Sequence, residues 1–105
     1  MRFIKKSNLE EDLKDVPNAV RATALSWLKV VELKTTAWRN FMDVKSTINS
    51  ASKVGSLYVF NIKDYRLIVG INFERQVIYY KAILSHSKYD KGNWKTKFPR
   101  SKNSE

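Results

Sequence analysis

The chain holds 105 residues, with 20 Lys and Arg against 10 Asp and Glu for a formal net charge of +10, and no cysteine. That length allows one domain, and a hydrophobic content of 43%, with three Trp, five Tyr and five Phe, supplies one modest core and excludes wholesale disorder. Lack of cysteine excludes disulfide scaffolds, thiol catalysis and Cys-based zinc sites, and no apolar run approaches the roughly 18 residues that a membrane span needs.

The opening Met-Arg-Phe-Ile-Lys-Lys is far short of a signal peptide's apolar core, which predicts a cytoplasmic protein. Phe3 and Ile4 favour a short strand over residues 2–5. Ser7 followed by Glu10 has capping-box spacing, and the acids that follow suit a first helical turn. This helix ends near Asp15 and Val16, because Pro17 disfavours helical geometry in the residue before it. A second helix starts beyond Pro17, with Val20, Ala24, Trp27 and Val31 at helical spacing and Leu28 widening a core-facing stripe. After a less regular stretch with Thr35, Thr36, Trp38 and Phe41, residues 43–48 predict a short third helix capped by Asp43.

The pattern then changes to strands. Residues 57–63 are rich in aromatic and β-branched side chains, Asp64 gives a tight turn, and residues 65–73 follow as a second strand. Glu74-Arg75 connects it to a third over residues 76–84, giving an antiparallel meander. Residues 1–93 form the single domain, and the basic, polar residues 94–105 form a frayed tail.

Alternation along the second strand puts Tyr65, Leu67, Val69, Ile71 and Phe73 on one face and Arg66, Ile68, Gly70 and Asn72 on the other. It groups Asn61 with Lys63, and Tyr79 with Lys81, opposite Ile78, Ala82 and Leu84. With helices on the apolar face, Asn61, Lys63, Arg66, Asn72, Tyr79 and Lys81 form a basic platform on the open one. An ordinary solvated sheet face has the same pattern.

Charge is uneven along the chain. Residues 1–44 carry eight basic and six acidic side chains, whereas residues 45–105 carry twelve and four. Such a field attracts polyanions, nucleic acid first among them; an acidic protein, an anionic membrane surface or solubility alone would use it equally. One His without Cys cannot build the usual tetrahedral zinc site. Three Gly provide neither a P-loop nor a dinucleotide fingerprint, and the sparse acids of the second half do not suffice for a two-metal nuclease centre. What remains is His86-Ser-Lys-Tyr89-Asp90 just after the third strand. A His can move protons near neutral pH, a Tyr can stack on a base, and Lys or Arg can clamp a phosphate. RNA brings its own 2′-hydroxyl nucleophile, so metal-free RNA cleavage fits this inventory. A lone His also fits an ordinary surface or capping residue.

Val54-Gly55, Tyr58-Val-Phe-Asn-Ile-Lys63, Tyr65-Arg66-Leu67 and His86-x-x-Tyr89-Asp90, preceded by Ile4-Lys5-Lys6 and the helix with Leu25 and Trp27, resemble the HigB toxins of bacterial type II toxin–antitoxin systems, a branch of the RelE-like endoribonucleases. The likeness runs from residue 2 to about residue 92. It implies an α+β, RelE-like fold: a short N-terminal strand and two to three helices packed on one face of a small antiparallel sheet, with RNA on the other. It implies an mRNA interferase that cuts messages on the translating ribosome by 2′-hydroxyl attack, without metal or cofactor, and a cognate HigA-like antitoxin with a helix-turn-helix domain. Carried over, Arg66 would clamp the phosphate and the transition state, His86 would be the acid or base, and Tyr89 would stack on a base or assist proton transfer. Lys63 and Lys81 would be supporting cations, with Asn61 on the RNA face and Asp90 orienting its neighbours.

Two departures stand out. The Lys63-Asp64-Tyr65 turn is shorter than the family's hairpin, and the extension 94–100 runs past the family's usual end, where contact with ribosomal RNA, antitoxin binding and no role are all open; Trp94 and Phe98, expected to be exposed, favour antitoxin docking. A non-catalytic RNA- or ribosome-binding module on the same fold is the alternative; a DNA-binding role ranks last, since no helix-turn-helix spacing is present.

Overall fold

The computed structural model describes residues 1–92 and 94, so the frayed tail predicted for 94–105, Phe98 included, lies outside the described residues except for Trp94, which is buried. Strand β1 (Arg2–Ile4) leads into helix α1 (Lys6–Asp12), which tightens into a single 3-10 turn at Leu13–Asp15. The capping box does not form. The helix starts so soon after the strand that Ser7 is already inside it, and Lys5 reverses the chain in the left-handed region at φ 68°. Helix α2 (Asn18–Val31) begins beyond Pro17 and buries Val20, Ala24, Trp27, Leu28 and Val31, the predicted stripe. Helix α3 (Phe41–Thr47) starts earlier than predicted and is capped by Asn40, whose Oδ1 accepts from the Asp43 amide at 3.0 Å. Asp43 instead accepts from the backbone N–H and Nε of Arg39, at 2.9 and 3.1 Å. Those donors hold its carboxyl below the usual carboxylate range.

Five strands form one sheet in the order β1-β5-β4-β3-β2, with β2 (Ser52–Val54), β3 (Leu57–Ile62), β4 (Tyr65–Asn72) and β5 (Val77–Ser85). The three predicted long strands are the antiparallel centre. Two features depart from the predicted meander. β2 is an additional edge strand antiparallel to β3, and β1 pairs with β5 in parallel, through Arg2–Val77, Phe3–Ile78 and Ile4–Tyr79. The β4–β5 connection spans residues 73–76 rather than Glu74-Arg75 alone, with Gln76 at φ 60°.

A β-bulge interrupts the β4–β5 ladder. Ile68 faces Ala82 and Val69 faces Tyr80, so Lys81 is the extra residue between the two pairs. Beyond it, the predicted alternation is offset by one. Ile83 pairs with Leu67 on the helical face, while Ala82 and Leu84 pair with Ile68 and Arg66 on the other. The sequence-based grouping of Ala82 and Leu84 with Ile78 is therefore corrected by the bulge.

The helices cover the face formed by Tyr58, Phe60, Ile62, Leu67, Val69, Ile78 and Tyr80. Phe60, fully buried, packs against Trp27 at 5.0 Å and Trp38 at 6.4 Å between ring centroids, and Phe3 meets Trp27 edge-on at 5.6 Å. Fully burying such rings stabilises the fold by about 1.5–3 kcal/mol each. At the β5 edge, the Tyr80 hydroxyl donates to Asp12 of α1 at 2.5 Å, fastening the helical layer to the sheet.

Candidate active site

Arg66 lies on β4, on the face away from the core, directly opposite Asn61 of β3 and Leu84 of β5. Its Nη1 donates to the carbonyls of Tyr65 at 2.9 Å and Lys63 at 3.2 Å. These bonds tie the guanidinium to the β3–β4 turn, where Lys63 adopts φ 59°. The short turn thus brings the Lys63 backbone to Arg66 while its side chain stays exposed.

The segment His86-Ser-Lys-Tyr89-Asp90 forms helix α4 (His86–Lys91) immediately after β5. Ser85 caps it, accepting from the Lys88 amide at 3.4 Å. Gly92, at φ 76°, ends it and donates its N–H to the Tyr89 carbonyl at 3.1 Å. Helical spacing separates the site residues into two groups. His86 and Asp90 share the outer side, with Nε2 and Oδ2 3.0 Å apart and both side chains more than half exposed. Tyr89 turns towards the sheet, where the Arg66 guanidinium carbon lies 6.0 Å from its ring centroid, at the outer range of a cation–π contact.

The face opposite the helices is not the uninterrupted basic platform that alternation suggests. Leu57, Val59 and Ile68 form a small buried cluster there with Trp94, and Val54, Leu84 and Tyr89 pack around it. Trp94 is 4% exposed, which corrects its assignment as an exposed docking residue. The indole stacks on Tyr89 at 5.1 Å and 17°, and its Nε1 donates to the Tyr89 carbonyl at 3.0 Å. An apolar residue just past a helix-ending glycine is the sequence signal for such a fold-back; the basic residues around Trp94 obscure it.

Asn61, Arg66 and Tyr79 share the open face as predicted, Tyr79 lying across from Gly70. Lys81 does not follow the alternation that groups it with Arg66. At the bulge it lines a groove of about 570 Å³ along the β5 edge, together with Asp12, Asp15, Tyr65, Ser85 and Lys88. That groove lies where β1 has stopped covering β5, and Leu84, the β5 partner of Arg66, also lines it.

The arrangement combines a fixed guanidinium beside an aromatic ring with an exposed imidazole held by a carboxylate. A guanidinium in this setting suits a phosphate, and a carboxylate-held imidazole suits proton transfer. Among the described residues, no group of three or more His, Cys, Asp or Glu side chains could hold a metal ion.

A mostly antiparallel sheet covered on one face by helices defines a RelE-like α+β protein. Residues 21–92 match the family model of the HigB toxins, described as the RelE-like toxic component of a toxin–antitoxin system. The chain belongs to that family and so is a toxin with an antitoxin as its partner. A comparison with curated proteins finds no match. No helix among the described residues is long and apolar enough to cross a membrane.

Proposed function

We propose that this toxin is a ribosome-dependent mRNA endoribonuclease of the cytoplasm that inhibits translation, neutralised by a HigA-like helix-turn-helix antitoxin. Membership of a RelE-like toxin family supports a ribonuclease in general. The observation that carries the finer reading is that one short helix, α4, bears both the Tyr89 ring that meets Arg66 and, on its outer side, the His86–Asp90 pair.

In this reading Tyr89 stacks on a base and Arg66 clamps the scissile phosphate, with Asn61, Lys63 and Lys81 along the RNA path. The 2′-oxygen attacks phosphorus while a base removes its proton. The bond from phosphorus to the 5′-oxygen breaks, and an acid returns a proton to that oxygen, leaving a 2′,3′-cyclic phosphate and a 5′-hydroxyl. His86 serves one of the proton transfers and Asp90 orients its ring. Arg66 balances the charge that develops on the phosphoryl oxygens, an electrostatic role needing no metal. The ribosome contributes by holding the message in line for attack.

Primer extension on a defined mRNA, with and without programmed ribosomes, tests the proposal. Cuts at fixed codon positions only with ribosomes are the expected result. Cuts in naked RNA would remove the ribosome from the mechanism. Intact message in both reactions, with arrested translation, would replace the nuclease by a non-catalytic ribosome-binding module.

A further inference from the structure

Tyr89 is the ring on which the proposed site turns, yet α4 supplies little to hold it. None of the helix's six residues is fully buried, and it contributes one ring contact to Arg66 at the limit of its range. What fixes the ring comes from beyond the helix. Gly92 turns the chain back on itself and brings Trp94 over the sheet face that bears Arg66. There the indole covers Leu57, Val59 and Ile68, stacks on Tyr89 at 17° between ring planes, and donates Nε1–H to the Tyr89 carbonyl. The same carbonyl accepts from the Gly92 amide. Both the ring and the backbone of Tyr89 are therefore held by residues that follow α4.

We infer that Trp94 is a positioning residue for the RNA site, holding Tyr89 beside Arg66 so that base stacking and phosphate clamping occur in one fixed geometry. It lies beyond residues 21–92, the stretch matched by the family model, so this latch belongs to the chain's own C-terminal segment. The large core cluster on the helical face does not include it, so its loss leaves the main packing intact. Its part in RNA cleavage rests on the function proposed above, whereas its hold on Tyr89 does not.

The test uses the full chain and three substitutions. Trp94→Phe keeps a stacking ring, Trp94→Leu keeps apolar cover without a ring, and Trp94→Ala removes both. In protein labelled with 3-fluorotyrosine, with the Tyr89 resonance assigned through Tyr89→Phe, the Leu and Ala variants shift that resonance by removing the indole ring current. In cleavage on programmed ribosomes, they lose roughly threefold to tenfold in rate, the scale of one aromatic pair. Trp94→Phe recovers most of the rate, and Trp94→Leu adds nothing to the loss caused by Tyr89→Ala, because both act through one ring.

A Trp94→Leu protein that cleaves like wild type while Tyr89→Ala does not would reduce Trp94 to apolar cover and overturn the inference. An unmoved Tyr89 resonance in the Leu variant would overturn the contact itself. Wild-type protein that leaves message intact would overturn the nuclease reading and the RNA role with it. The fluorine resonance would still decide whether Trp94 orders Tyr89. Should Trp94→Ala fail to fold, the Leu and Phe variants carry both readouts.

Discussion

The backbone N–H of His86 donates to the carbonyl of Asp64 at 2.8 Å, fastening the first residue of α4 to the turn between β3 and β4. The same turn receives the Arg66 guanidinium through the Lys63 carbonyl. One two-strand turn therefore carries both the cation and the start of the helix that bears His86 and Tyr89. Rigid backbone connections of this kind set the distance between a clamp and a proton-transfer group, which is what orientation contributes to catalysis.

Removing the clamp should be the most damaging change at the site. Arg66→Ala is expected to slow message cleavage by about 10²–10³-fold, the scale of losing one transition-state donor, and to relieve toxicity in cells. Arg66→Lys should not restore activity, because an ammonium cannot reproduce a planar guanidinium that lies beside the Tyr89 ring and has further N–H groups to offer a phosphate while Nη1 is held by the turn. Initial rates from primer extension check both variants; toxicity of Arg66→Ala equal to wild type would remove Arg66 from the site.

His86→Ala should lower single-turnover cleavage by about 10²–10⁴-fold, the usual contribution of a general acid or base. Asp90→Asn leaves the imidazole in place and removes only the carboxylate 3.0 Å from it. A smaller loss, roughly tenfold or less, is expected there, since the exposed pair is well solvated. Equal losses from the two substitutions would mean that the pair works as a unit.

Tyr80 links stability to alkaline pH. Burial and the neighbouring Asp12 raise its hydroxyl above the usual tyrosine range. The folded protein therefore keeps a proton that the unfolded chain releases. The resulting stability is fully present below about pH 10 and is lost as pH rises above it. Tyr80→Phe should cost roughly 0.5–1.5 kcal/mol at pH 7, the net worth of one hydrogen bond, because Asp12 is exposed and water replaces the lost donor. Its deficit against wild type should shrink above about pH 10, as urea unfolding at neutral and alkaline pH will show.

Phe60→Ala should cost about 3–5 kcal/mol in urea unfolding, because the ring is fully buried between Trp27 and Trp38 and the site cannot collapse around the cavity. Met42→Ala, at a side chain 76% exposed, should stay within about 0.5 kcal/mol of wild type. A comparable loss at both positions would place the core elsewhere.

Local periodicity was enough to read the α2 stripe, the three central strands and the shared face of Asn61 and Arg66, because each depends on near neighbours in sequence. The HigB-like spacing of Tyr58–Lys63, Tyr65–Leu67 and His86–Asp90 was likewise visible, and the family match over residues 21–92 agrees with it. Other features needed partners distant in the chain. The three-residue β2 is a strand only through β3, and β1 runs parallel to β5 although the two are far apart in sequence. Capping moved from Ser7 to Lys5 and from Asp43 to Asn40, because the packed helices fixed where each first turn begins. Alternation carries no mark of an extra residue, so the bulge at Lys81 and the reassigned faces of Ala82 and Leu84 emerge only in the paired sheet. Trp94 reads as exposed in a basic stretch until Leu57, Val59 and Ile68 come together from two strands beneath it. The sequence by itself determined the fold class and the chemistry at hand; tertiary packing decided which of those side chains meet, because a site is a matter of distances between residues whose order along the chain does not encode them.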